Sequence, residues 1–173
     1  MRPVKRWSAL HSLRSAPRGA DTQRWYRITM PSVLMGQGAF CKEKIMDIKE
    51  KATKIHQSGF NCAQSVLNAC GDYTGLDEKT ALAISAGFGG GVRSGEICGA
   101  ISGAVMAIGI SQPGDPAAPE TKARTAELTK ELVKAFREKY GCVRCLELKQ
   151  AGKSCAELIE YSAWLAEEII RNK

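Results

Sequence analysis

The sequence predicts an all-α protein, a single compact helical domain built around one buried helix. From residue 42 onwards, apolar residues recur at the three- and four-residue spacing of amphipathic helices. Residues 97–110 form an uncharged segment of small and apolar side chains, which is typical of a helix buried on all sides. No alternating apolar pattern of useful length indicates a β-strand. These three observations favour helices and disfavour a β-sheet.

The starts of the outer helices are predicted from capping residues. Asn61 and Ser154 are each followed three residues later by a side chain that completes a capping box, Gln64 and Glu157. Asp77 can cap a short helix between them. The sequence therefore predicts helices that begin at residues 62, 78 and 155.

The middle of the chain contains a glycine-rich loop at 87–95, the apolar helix at 97–110 and a long amphipathic helix at 120–140. The loop matches neither the dinucleotide-binding nor the P-loop glycine pattern. We expect its glycines to serve close packing, with anion binding by backbone N–H groups as the alternative. Small residues on the apolar helix suit tight packing, either within the chain or in a homodimer.

The excess positive charge lies in the first 45 residues. The net charge is +7, and residues 1–45 contain nine of the 25 Lys and Arg residues but two of the 18 acidic residues. Residues 46–173 are therefore neutral, so we expect no nucleic-acid binding by the folded domain. We expect 1–45 to be a basic N-terminal extension that is disordered or upstream of the natural start. A transit peptide, or a basic arm for nucleic acid or lipid, is the alternative.

No segment predicts export or membrane insertion. The longest uncharged apolar stretch, 97–110, is shorter than the roughly 18 residues of a transmembrane helix. No apolar region of a secretory signal lies near the N-terminus. The sequence thus predicts a cytoplasmic protein, in which cysteines serve metal binding or redox chemistry rather than structural disulfides.

The cysteines are the strongest functional signal. Cys62 and Cys155 directly follow two predicted caps, and Cys98 follows the glycine-rich loop. Free N–H groups and the helix dipole stabilise a thiolate, or the sulfur of an iron–sulfur cluster, at such helix starts. Histidine is scarce, with two residues in the chain, so a histidine-based metal site is disfavoured. Cys41 and Cys70 follow neither a cap nor a glycine loop, and we expect them to be packing residues.

Cys142 and Cys145 form a C-x-x-C motif. Leu146 follows it instead of histidine, so no c-type haem attachment is encoded. A second C-x-x-C, as in a zinc ribbon, is missing from the sequence. The pair remains a candidate for redox thiol chemistry, in which one thiol attacks and the other resolves.

Over about residues 46–173, the chain resembles the C-GCAxxG-C-C family of redox-active proteins. The resemblance rests on the following stretches: Gly59-Phe60-Asn61-Cys62-Ala63-Gln64-Ser65-Val66-Leu67, Gly87-Phe88-Gly89-Gly90-Gly91, Cys98-Gly99-Ala100-Ile101-Ser102-Gly103, Tyr140-Gly141, Cys145-Leu146-Glu147-Leu148, and Cys155. It implies a redox role and assigns the four family cysteines to Cys62, Cys98, Cys145 and Cys155. A related domain occurs in split-Soret cytochromes, where an iron–sulfur centre is suggested beside haem. Cys142 stands where the family commonly has a small residue such as serine, so it can compete with Cys145.

Three hypotheses follow from the sequence. In the first, Cys62, Cys98, Cys145 and Cys155 converge and bind an iron–sulfur cluster for electron transfer. In the second, the protein is a metal-free thiol–disulfide protein that uses Cys142 and Cys145. In the third, the four cysteines hold a structural zinc ion, or the glycine-rich loop forms a binding module. We expect no haem, and the sequence does not identify the redox partner.

Overall fold

The computed structural model describes residues 46–172, which fold into eight α-helices. This part of the chain contains no β-strand, so the prediction of an all-α domain is confirmed. The helices are α1 (Ile48–Gln57), α2 (Cys62–Ala69), α3 (Gly71–Thr74), α4 (Glu78–Ser85), α5 (Gly99–Ile110), α6 (Pro119–Tyr140), α7 (Cys145–Gln150) and α8 (Cys155–Arg171).

The capping residues begin the helices predicted for them. The Asn61 side-chain oxygen accepts hydrogen bonds from the N–H groups of Ala63 at 3.0 Å and Gln64 at 3.1 Å. The Gln64 side chain in turn accepts a bond from the Asn61 N–H at 3.0 Å, which completes the capping box. Asp77 and Ser154 cap α4 and α8 by accepting a backbone N–H bond three residues on, at 3.0 and 3.2 Å.

The predicted central helix is α5, which packs against α2, α6 and α8. It begins at Gly99 rather than at residue 97, because Ile97 pairs with Arg144 in an antiparallel bridge just before it. The sequence predicts that α5 is buried on all sides. This prediction is wrong for one side of the helix, where Val105 and Met106 are half-buried. The helices around α5 leave that side partly open.

Gly103 allows the backbones of α5 and α2 to touch. A Cβ atom on Gly103 would lie 2.5 Å from the carbonyl oxygen of Ala63. We expect Gly103→Ala to lower the free energy of unfolding by about 1–3 kcal/mol, although alanine is the better helix former. Urea denaturation measures this. Gly87→Ala is the control, because its Cβ would have no atom within 4 Å. If both variants lost the same free energy of unfolding, the packing argument would be contradicted.

A row of four aromatic rings joins α6 to α8. The ring centroids of Phe136 and Tyr140 in α6 are 4.8 Å apart, and Tyr140 meets Tyr161 of α8 edge to face at 5.5 Å. Trp164 continues the row at 5.6 Å from Tyr161, and the Lys139 ammonium lies 3.8 Å from the Tyr161 ring centroid. These contacts fix the end of α6, and with it the start of the following segment, against α8.

Two predictions fall on residues outside the described range, namely the basic extension at 1–45 and the packing role of Cys41. Within residues 46–172, no helix has both the length and the apolar character that crossing a membrane requires.

Candidate functional site

Four cysteines line one small cavity inside the domain. Its volume is about 40 Å³. Its lining consists of these four residues and three others: Cys62, Cys98, Cys145, Cys155, Gly90, Lys149 and Leu158. The four cysteines are those that the family resemblance assigns to the motif. The fold therefore brings together residues that are distant along the chain.

Each of the four cysteines lies at the start of a helix. Cys62, Cys145 and Cys155 are the first residues of α2, α7 and α8, and Cys98 directly precedes α5. The first N–H groups of a helix have no partner inside it, so they are available to a nearby acceptor. The sequence predicts three of these starts and misses α7. That helix has 6 residues, and Arg144, which precedes it, is not a typical capping residue.

The segments that carry Cys98 and Cys145 are bonded to each other. The Cys98 N–H donates to the carbonyl of Val143 at 2.9 Å, and the Cys145 N–H donates to the carbonyl of Glu96 at 2.6 Å. The Arg144 guanidinium donates two hydrogen bonds to the Glu96 carboxylate, at 2.9 and 3.1 Å. These bonds fix two of the four thiol-bearing segments relative to each other.

A left-handed turn leads the chain past the cavity. The φ angles of residues 90–93 all lie between 55° and 65°. This conformation costs a non-glycine residue about 1–2 kcal/mol, yet Val92 and Arg93 adopt it. A Cβ atom on Gly91 would lie 2.9 Å from the Cβ of Cys145. The glycine-rich segment thus serves close packing, which agrees with the expectation from the sequence.

Gly99, which follows Cys98, lies so close to the start of α2 that there is no room for a side chain. A Cβ atom on Gly99 would lie 2.5 Å from the Sγ of Cys62 and 2.7 Å from the carbonyl oxygen of Phe88. No side chain fits into that space without moving the backbone. The Cys-Gly pair in the motif therefore brings the start of α5 directly against the first cysteine of α2.

Burial opposes the ionisation of Cys98. Loss of hydration, together with smaller contributions from the neighbouring Cys62 and Cys145, raises the pKa of its thiol from 9.0 to about 12. The backbone N–H groups of Ala100 and Ile101 act in the opposite direction and lower this pKa. Cys98 is therefore a neutral thiol at pH 7 in the metal-free chain. A metal cation that replaces the proton would reverse this balance.

The thiol of Cys145 interacts with three other groups that line the cavity. Burial is the main cause that raises its pKa, and the ammonium of Lys149 lowers it. Negative charge on Cys62 or Cys155 raises the pKa of Cys145 as well. The four cysteines and Lys149 thus form one electrostatically connected group.

The remaining described cysteines lie away from the cavity. Cys142 is half-buried against the edge of the core and is not part of the lining. The C-x-x-C motif is thus split between two environments. Cys70 is completely buried in the core, as predicted, and burial raises its pKa to about 12.

The four cysteines line the cavity, but within residues 46–172 their side chains do not form a finished metal site. Within residues 46–172, no group of three or more His, Cys, Asp or Glu side chains could hold a metal ion as it stands. The six described cysteines are free thiols. Because thiolate sulfurs bind zinc at about 2.3 Å, ion binding here requires the cysteine side chains to bring their sulfurs to that distance from the ion and to lose their protons. The donor set itself, four cysteine sulfurs at one enclosed place, is that of zinc and iron–sulfur sites.

Two larger depressions on the described surface contain none of these cysteines. One, of about 510 Å³, runs along α6, and the other, of about 640 Å³, lies between α1 and residues 68–78. Both are open to solvent. Neither contains a residue that the sequence singles out for chemistry.

A family model matches most of the described domain. The model, whose description is "Putative redox-active protein (C_GCAxxG_C_C)", covers residues 60–169. This range includes all four cysteines of the cavity and nearly two thirds of the chain. No match to the chain is found among curated proteins or among solved structures.

Proposed function

Because the chain belongs to the C_GCAxxG_C_C family of redox-active proteins, we propose that its four cavity cysteines hold an iron–sulfur cluster and that the protein transfers electrons. The observation that carries this proposal is the cavity, whose lining contains all four motif cysteines. Four thiolates are the usual ligand set of two-iron and four-iron clusters. Such a cluster supplies reversible one-electron chemistry when it is bound.

The size of the cavity supports an inorganic ligand. Pockets that bind drug-sized organic molecules have volumes of about 300–1,000 Å³, whereas this cavity has about 40 Å³. A single water molecule needs about 10–15 Å³. The space therefore suits a small inorganic group surrounded by sulfur better than a drug-sized organic molecule.

The protein's own groups would bind and tune such a centre. The N–H groups of Ala100 and Ile101 act on the sulfur of Cys98, and hydrogen bonds to ligand sulfurs are one of the factors that set a cluster's reduction potential. Leu158 contributes an aliphatic wall to the cavity. A shielded site with few polar groups protects bound sulfide and iron from water.

Two observations disfavour metal-free chemistry at the C-x-x-C motif. Cys142 does not line the cavity that Cys145 lines, and both are free thiols, so their side chains would have to move before they could form a disulfide. Burial also raises the pKa of Cys145, which lowers the thiolate fraction that such a reaction needs. A structural zinc ion uses the same four ligands and is distinguished by experiment.

The proposal is tested by exchanging one cysteine inside the cavity and one outside it. Cys62→Ser removes a proposed ligand, whereas Cys70→Ser removes a buried thiol at the other end of α2. We expect the first variant to lose visible absorption and iron, and the second to retain both after anaerobic purification. Equal iron content in the two folded variants would contradict the proposal. If the wild-type protein is colourless and contains stoichiometric zinc, the iron–sulfur proposal is wrong and the four cysteines form a structural zinc site.

A further inference from the structure

Lys149 is the charged residue in the lining of the cysteine cavity. It lies one helical turn after Cys145 on α7, so the two side chains share a face of the helix. The ion pairs found in the described part of the chain involve other side chains. The charge of Lys149 is therefore not offset by a carboxylate within residues 46–172.

A metal centre at this place would carry a net negative charge. Four thiolates outweigh the positive charge of one zinc ion, and they also outweigh that of an oxidised iron–sulfur cluster. The cavity is mostly enclosed, and such a charge is poorly stabilised away from water without a nearby cation. Lys149 lines the same cavity as the four cysteines, so its ammonium is a positive charge placed beside such a centre.

We propose that Lys149 is the counter-ion of the metal centre held by Cys62, Cys98, Cys145 and Cys155. This inference rests on the proposed function and adds a residue outside the cysteine pattern. The ammonium opposes the accumulation of negative charge, so it raises the reduction potential and slows loss of the metal. Lys149 is a tuning residue and not a ligand, because an ammonium group has no lone pair to donate.

A simpler role for Lys149 is stabilisation of α7, since a lysine in the last turn of a helix interacts favourably with the helix dipole. That role would change thermal stability and leave the reduction potential unchanged. The two roles are therefore separated by measuring both quantities on the same variants.

The test compares Lys149→Gln, Lys149→Arg and the control Lys122→Gln. Lys122 is an exposed lysine near the start of α6, away from the cavity lining. For Lys149→Gln at low salt, we expect the equilibrium constant for reduction to fall about three- to tenfold, where tenfold corresponds to about 59 mV for one electron. Lys149→Arg and Lys122→Gln should keep the wild-type potential. Because Lys149 is exposed, the difference should shrink at 1 M salt.

An unchanged potential in Lys149→Gln, in a wild-type background that holds iron and sulfide, would overturn the role of Lys149 and leave the proposed function intact. If the wild-type protein holds zinc, the proposed function fails. Lys149 is then tested by zinc release to a chelator, which we expect to be about three- to tenfold faster in Lys149→Gln. Equal release rates would overturn the inference. If the protein binds no metal, both proposals fail together.

Discussion

Cys145→Ser is expected to abolish the visible absorption of the anaerobically purified protein and to remove most of its iron. Cys145 lines the cavity, and its backbone N–H is bonded to the segment that leads into Cys98. Serine preserves this backbone bond but supplies an oxygen in place of a soft sulfur donor. The expected loss is therefore a loss of ligation, with the fold retained.

Cys142→Ser is the matched control, because it changes the other cysteine of the same C-x-x-C motif. Cys142 lies outside the cavity lining, so we expect this variant to keep the absorption and iron content of the wild-type protein. Iron analysis and the visible spectrum, with circular dichroism to check the fold, measure both variants. Retained colour in Cys145→Ser together with lost colour in Cys142→Ser would reverse the assignment of the third ligand.

Gly91→Ala is expected to destabilise the protein and to displace Cys145. Gly91 has a φ angle of 65°, and its Cβ would lie 2.6 Å from the backbone nitrogen of Glu96 and 2.9 Å from the Cβ of Cys145. A left-handed alanine costs about 1–2 kcal/mol, and overpacking adds about 1–3 kcal/mol. We therefore expect the free energy of unfolding to fall by about 2–5 kcal/mol, with partial loss of bound metal.

Gly90→Ala separates conformational strain from steric overlap. Gly90 has the same φ angle of 65°, but its Cβ would have no atom within 4 Å. We expect this variant to lose about 1–2 kcal/mol in the free energy of unfolding, the strain alone. Urea denaturation of both variants gives the comparison. If both variants lost the same free energy of unfolding, the steric contact between position 91 and Cys145 would not contribute to stability.

Much of the architecture follows from local signals in the sequence. Asn61, Asp77 and Ser154 begin their helices because a side-chain oxygen three positions before a free N–H is a short-range arrangement, largely independent of the rest of the fold. The apolar segment at 97–110 predicts the central helix for a similar reason, since its composition excludes a solvated position. The four cavity cysteines were identified through the family pattern, supported by their places at predicted helix starts.

Other features depend on contacts between distant segments, so a local pattern does not predict them. The start of α7 lies where Cys145 bonds to the Glu96 carbonyl, 49 positions earlier in the chain. The left-handed conformation of Val92 and Arg93 opposes their own preferences and is imposed by the surrounding turn. In the sequence, nothing distinguishes Lys149 from other exposed helical lysines, and only the fold places it in the lining of the cavity. Tertiary packing decides each of these points.

The most direct test of the iron–sulfur proposal is the visible spectrum of the wild-type protein purified without oxygen, recorded together with its iron, sulfide and zinc content. We predict absorption at about 400–450 nm that bleaches with dithionite, with iron and sulfide present in equal amounts. A colourless protein without iron, after reconstitution with ferrous iron and sulfide has also failed, would contradict the account.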